Sequence, residues 1–234
     1  MEMQTGAIPA TGFSTPALFR ARDPLSALSH FVGFLLSILA AFPLLVKASC
    51  VGCSLTEILS LCAFMVGAIA LYGASTAYHT FRLGRKGYLR LKRLDHTMIY
   101  LLIVGSYLPI CVFCLWDGIG KLLAAVVTGI AVAGVIFTMF WVTCPKRISS
   151  CIYIALGWIS VLALPQMLRT MAPQAIGWLV AGGLLYTVGG VIYALKLPGL
   201  ERRFPGFGAH ELFHLFVLAG TACHYIMVFQ YLVV

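Results

Sequence analysis

The chain has 234 residues, 61% of them hydrophobic and only 10% charged, where a soluble domain carries about 45–50% apolar and about 25% charged residues. With a mean hydropathy of +0.99, this composition excludes a soluble globular protein and describes one membrane-embedded bundle with no room for a further soluble domain. The net charge of +9 would raise nucleic acid as a partner of a soluble protein. Here the basic residues stand in short gaps between apolar runs, which is a pattern of membrane topology, so membrane lipids and not nucleic acid are the expected partners.

Residues 1–23 are mixed in character, with Glu2, Pro9, Pro16, Arg20 and Arg22, and lack the compact apolar core of a signal peptide. They are expected to form a short, disordered cytoplasmic tail ahead of a membrane domain at 24–234. Apolar runs long enough to cross about 30 Å of hydrocarbon predict seven helices, at 25–46, 55–80, 95–116, 120–143, 148–168, 174–196 and 208–233. The fold class is therefore an all-α, seven-transmembrane-helix bundle. Trp116-Asp117-Gly118 separates the third span from the fourth, and Pro43, Pro109 and Pro165 fall within spans, where proline kinks a helix. Ala125, Gly129 and Ala133 recur every four residues, as do Gly177 and Ala181, and such small faces suit close helix packing.

Lys and Arg set the orientation. Thirteen of them fall in the N-terminal tail and the 2–3, 4–5 and 6–7 connections, against three (Lys47, Lys121 and Arg169) on the other side. That asymmetry places the N-terminus in the cytoplasm and the C-terminus outside, in a multi-pass protein expected in the plasma membrane. The stretch from Arg82 to Arg93 holds six basic residues and is read as a loop anchoring the 2–3 hairpin. Of the eight cysteines, Cys50 and Cys53 and again Cys111 and Cys114 make C-x-x-C pairs. Nothing around them resembles a zinc ribbon, so they are read as small core residues and a loop pair.

The last span opens with His210-Glu211-Leu212-Phe213-His214, an H-E-x-x-H. Two histidines four apart share a helix face, about 6 Å apart along the axis, which suits two bonds to one metal ion. Ionisable groups in a membrane helix are costly and mark working sites. Once the spans are oriented, Ser75 and His79 fall in the last turns of the second span, and Asp95 and His96 open the third, all at the cytoplasmic depth of His210 and His214. A catalytic zinc takes three protein ligands and an open position. His79, His210 and His214 supply three imidazoles, Asp95 can orient a water and take its proton, and Ser75 can donate to a ligand or an oxyanion. His30 and His224 lack partners at matching spacing and are read as helix–helix contacts, while His96 is read as pointing away from Asp95. Intramembrane proteases with this motif take a carboxylate third ligand from a later span, and none follows here. Glu211 is accordingly read as a helix N-terminal carboxylate.

Ser75-Thr-Ala-Tyr-His79, Arg93-Leu-Asp95-His96, Gly105-Ser-Tyr107-Leu-Pro109 and His210-Glu-Leu-Phe-His214, with Ala222-Cys-His224 after it, resemble the hemolysin III family. That family is the bacterial branch of the progestin and adipoQ receptor superfamily and is related more distantly to alkaline ceramidases. The resemblance covers about 24–234. It implies a seven-helix bundle with a cytoplasmic N-terminus and a zinc near the cytoplasmic face, held by His79, His210 and His214. It also implies that Asp95 reaches the zinc through water and that Ser75 is the family serine. The chain lacks the long N-terminal domain of the adiponectin receptors, which weighs against a hormone-receptor role. The expected function is a zinc-dependent hydrolase acting on a lipid amide. The alternatives are a pore-forming cytolysin and a non-catalytic sensor in which zinc staples helices together.

Overall fold

The computed structural model describes residues 21–195, 203–204 and 206–234. It contains the seven expected spans, each long and apolar enough to cross a membrane. Of the tail expected at 1–23, residues 1–20 lie outside the described residues. Helix α1, Pro24–Cys50, starts on a proline, whose fixed φ suits the first helical position. Helix α2, Leu55–Thr80, starts on a capping box: Ser54 Oγ accepts from the Glu57 amide at 3.3 Å, and the Glu57 carboxylate accepts from the Ser54 amide at 2.7 Å. Helix α3 runs Arg85–Cys114 and α4 Gly120–Phe140. The turn between them includes Trp116-Asp117-Gly118, as expected.

The fifth span is broken. Helix α5, Lys146–Trp158, passes through a 3-10 turn at Ile159–Ala163 into the short α6, Leu164–Thr170. Pro165 stands at the start of α6, where it has no N–H to continue the preceding helix. The break is held from another helix: the Tyr107 hydroxyl accepts from the Ser160 amide at 2.9 Å and lies 2.6 Å from the Gly157 carbonyl. Helix α7, Pro173–Leu195, and α8, Ala209–Met227, complete the bundle, and α8 ends in one π-helical turn, Val228–Leu232.

The spans form a ring. Helix α1 packs on α2, α2 on α3, α3 on α5, α5 on α7, α7 on α8, and α8 returns to α1, while α4 lies outside against α3. The tightest seam is α2 on α3. A Cβ on Gly67 would stand 2.9 Å from the Leu101 carbonyl oxygen, and one on Gly105 would stand 2.7 Å from that of Ala63. The two glycines let the backbones touch.

Two expectations about the helices are overturned. The basic stretch at 82–93 is a loop only as far as Gly84, since α3 begins at Arg85, ten residues ahead of the apolar run. Lys and Arg are good helix formers and carry the helix beyond the hydrocarbon. Asp95 and His96 therefore lie in its third to fourth turns. The small stripes do not pack: Ala125, Gly129 and Ala133 are exposed, and Gly129 and Gly177 have nothing near their Cβ positions. The buried face of α4 is Leu123, Val127, Ala131 and Gly134.

Because the α2–α3 seam is backbone against backbone, Gly105→Ala should overpack it by about 1–3 kcal/mol. A thermal unfolding scan in detergent checks this: the midpoint should fall by several degrees, and an unchanged midpoint would show that the seam can open freely.

Candidate metal centre

The two final-helix histidines owe their position to the start of α8. The Glu211 carboxylate accepts the Gly208 amide at 2.9 Å with one oxygen and the Ser26 hydroxyl at 2.7 Å with the other. One side chain thus caps α8 and ties it to α1. Both oxygens are occupied, and the glutamate of the H-E-x-x-H serves the helix terminus. One turn on, His214 is 2% exposed, and its Nδ1 lies 3.3 Å from the Ser26 carbonyl. A carbonyl only accepts, so Nδ1 carries the proton and Nε2 keeps its lone pair.

His79, in the last turn of α2, is 1% exposed. Its Nδ1 lies 2.8 Å from the Asp23 carboxylate, which again fixes the proton on Nδ1. Its Nε2 faces His210 Nε2 at 3.1 Å. The ligand atoms of His79, His210 and His214 all lie within 4.8 Å of one another. Two facing ring nitrogens at this distance need an electrophile between them, a proton or a metal ion. The third imidazole nitrogen converging on the same point makes the group one that can hold a metal ion.

Asp23 is the residue that sequence reasoning missed. Placed just before Pro24, it has the appearance of a helix cap, yet its side chain makes no capping bond. It accepts instead from His79 and from Arg22, at 2.8 Å each. The backbone clamps the same pair of segments together, with the Asp23 amide on the His79 carbonyl at 3.0 Å and the Arg22 amide on that of Thr80 at 3.3 Å. The Arg22 guanidinium lies 4.1 Å over the Tyr78 ring and 5.0 Å over that of Tyr88. Burial works to raise the Asp23 carboxyl, but the hydrogen bonds from His79 and Arg22 outweigh it and hold the group below the usual carboxylate range.

The remaining polar residues gather around the group. Asp95 is 7% exposed, near enough to His79 and His214 to interact with both electrostatically. Contrary to expectation, His96 does not turn away, because its Nδ1 lies 3.4 Å from the Asp95 carboxylate. Neighbouring helix residues diverge by about 100° at the backbone, but both side chains bend into the same space. Ser75 is 1% exposed, and its hydroxyl has no partner among the described residues. His30 is a helix–helix contact, as expected, but its partner is a member of the group: its ring stacks on His214, centroids 3.6 Å apart and planes at 14°. His224 stands apart, edge-on to Tyr186 at 5.3 Å between centroids. The cysteines are unpaired: Cys111 is buried in the core and Cys50 is exposed.

Ser75, Asp95, His210 and His214 line one end of a cavity of about 220 Å³ running down the middle of the ring. Beyond them its walls are mostly aliphatic and aromatic, including Ile99, Ile103, Ile110, Ile154 and Leu179. Val161, Leu164 and Val180, near the break in the fifth span and exposed elsewhere on their surfaces, line it as well. The arrangement joins a group of imidazoles that could hold a metal ion to a mostly apolar cavity.

Comparison with known proteins agrees with this architecture. A hemolysin-3 from Bacillus cereus is 32% identical over 91% of this chain and 93% of its own length. A hemolysin-3 homolog from Bacillus subtilis is likewise 32% identical, over 92% and 97%. An adiponectin receptor protein of Drosophila melanogaster is 29% identical over 70% of this chain but only 40% of the receptor. The family model described as haemolysin-III related matches residues 20–225, almost the whole bundle with Asp23 and all three clustered histidines inside it, and the chain belongs to that family of multi-pass membrane proteins.

Proposed function

We propose that this protein is an integral membrane zinc hydrolase that cleaves an amide in a long-chain lipid. The observation that carries the reading is the convergence of three imidazoles, two of which, His210 and His214, line an apolar cavity together with Asp95 and Ser75. Zinc suits the donor set. With Zn–N bonds of about 2.0–2.1 Å, nitrogens around a tetrahedral ion stand about 3.3 Å apart, close to the 3.1 Å between His79 and His210. Three neutral imidazoles, two with their second nitrogen held by an acceptor, leave a coordination position open as catalytic sites do.

Zinc held there supplies Lewis acidity, polarising a carbonyl and lowering the pKa of a water to about 7. The remaining work belongs to the chain. The cavity holds the acyl chain and excludes bulk water, which strengthens every polar interaction at its end. The Asp95 carboxylate orients the attacking water, accepts its proton, and returns a proton to the leaving nitrogen. The Ser75 hydroxyl, buried without a partner, donates to the oxygen that gains charge as the carbonyl becomes tetrahedral. The sum adds one water across the C–N bond and releases a carboxylate and an ammonium. A structural zinc staple, the second reading, would explain the histidines but neither Ser75, buried without a hydrogen-bond partner among the described residues, nor the cavity that it lines.

Three outcomes test the reading. Metal analysis of purified His79→Ala should show zinc lost, and zinc equal to wild type would sink the three-histidine site. Asp95→Asn should keep its zinc and lose amide turnover. If turnover instead survives there and vanishes in Glu211→Gln, the base has been misassigned. Asp23→Ala, read by chelator competition, should weaken zinc binding about 10- to 100-fold, the usual effect of removing the carboxylate behind a metal-bound histidine; unchanged affinity would reduce Asp23 to a backbone clamp.

A further inference from the structure

The cavity extends well beyond the groups gathered at its end. Near the histidine group it adjoins an outer recess that Asp23, Lys92, Lys146 and Glu211 line, and His96, Tyr193 and His210 stand at the junction, lining both spaces. From there it follows α7 through Gly190, Tyr186, Gly183 and Leu179, and α8 from His214 through Val217 to His224. Ten residues separate these two histidines, so they stand about 15 Å apart along the helix axis. Between them the wall is mostly apolar, and His224 interrupts it.

His224 is 7% exposed. A Cβ on Gly182 would overlap its ring, so the glycine of α7 makes the room that the imidazole occupies. A plain helix–helix contact would leave the ring hydrogen-bonded to its neighbour. Instead neither ring nitrogen has a hydrogen-bond partner among the described residues. The Leu179 carbonyl of α7 lies near the ring but outside hydrogen-bond geometry. Being an acceptor, it can serve only the nitrogen that carries the proton. The other nitrogen keeps a lone pair that nothing meets, and an unmet polar group is costly in hydrocarbon.

Beside this ring lies Tyr186, edge-on at 5.3 Å between centroids. The Thr221 hydroxyl gives its proton to the Val217 carbonyl at 3.0 Å, so Tyr72 and Tyr186, at 2.6 and 2.8 Å, both donate to Thr221. With its proton engaged, the Tyr186 oxygen is left as an acceptor. Two acceptors thus stand side by side among residues that line the cavity.

We propose that His224, with Tyr186, is a second polar station for the bound chain, accepting a hydrogen bond from a hydroxyl carried partway along it. With C–C bonds of about 1.5 Å in an extended zigzag, about ten to twelve carbons cover the distance from the histidine group. The ligand class is an acyl chain with a hydroxyl near carbon 12. The inference rests on the reading that a long-chain amide lies in the cavity, and not on its being cleaved. A keto oxygen at the same carbon has no proton to give and satisfies neither acceptor. An unsubstituted chain leaves His224 without a partner.

Binding of four probes tests this. The full chain, loaded with zinc in phosphatidylcholine discs, is titrated with octadecanoyl ethanolamides. They carry a hydroxyl at carbon 12, a hydroxyl at carbon 6, a keto group at carbon 12, or no substituent. Partition into protein-free discs is subtracted. The 12-hydroxy amide should bind about three- to tenfold more tightly than each of the others, as one additional buried hydrogen bond between neutral groups allows. In His224→Leu that preference should vanish, while the unsubstituted amide binds as before. Equal binding of the 12-hydroxy and 12-keto amides by wild type overturns the proposal, and so does a preference that survives in His224→Leu. The wild-type series decides the matter even where the variant fails to fold. A 12-hydroxy preference without hydrolysis of any probe would uphold the station and refute the hydrolase reading. Hydrolysis of all four with equal affinity would do the reverse.

Discussion

The end of this bundle that holds the histidine group depends on a contact between helices that are not packed neighbours. Helices α2 and α8 face each other across the ring with α1 beside both. What joins them is side-chain chemistry: His79 meets His210 at 3.1 Å, and deeper in, the Tyr72 hydroxyl donates to Thr221 at 2.6 Å. In hydrocarbon a polar group without a partner costs several kcal/mol, so these cross-ring pairs are strongly constrained to find each other. They hold the ring open at a fixed width. The space left between the helices is the cavity, and the polar tie and the apolar channel are two results of the same spacing.

Helix α1 supports that tie although it supplies none of the three clustered imidazoles. Ser26 takes the Glu211 carboxylate with its hydroxyl and His214 Nδ1 with its carbonyl. His30 stacks flat on the His214 ring, and Asp23, just ahead of the helix, holds His79. Each contact removes one freedom from a ring in the group: the proton position of His79, the proton position and tilt of His214. A site whose rings are oriented before a ligand arrives loses less entropy when one is bound. This is why a helix lined with serines, otherwise unremarkable for a membrane span, lies against the histidine group.

The spans and the cluster of His79, His210 and His214 were legible in the sequence because each follows from a one-dimensional signal: apolar run length, and a four-residue spacing at matched depth. What could not be read depends on which way a helix faces. In a soluble protein the apolar face of a helix is its buried face. In a bilayer the lipid is as apolar as the core, so the stripe of Ala125, Gly129 and Ala133 carried no sign of pointing outward. The true start of α3 escaped for a related reason, since hydropathy reports fitness for hydrocarbon and not helicity, and Arg85 begins a helix outside it. Pro165 marked the place where the fifth span breaks. The 3-10 turn there also needs the Tyr107 hydroxyl, some fifty residues earlier in the chain. Asp23 and His30 were obscure because their partners are distant in sequence, and because one imitates a helix cap and the other has no companion at helical spacing.

The basic residues combine two constraints that are usually discussed apart. Most of the cationic charge lies on one side of the bundle, as orientation in the membrane demands. That requirement is indifferent to where on the face each residue sits, and so leaves position free for other uses. Extending α3 past the hydrocarbon brings Lys92 to the rim of the outer recess, and starting α5 at Lys146 brings a second cation over Tyr193. The same charges thus help give the histidine group a polar side, opposite the mostly apolar cavity on its other side. The polar group and the apolar cavity adjoin through His96, Tyr193 and His210, which line the spaces on both sides of the junction.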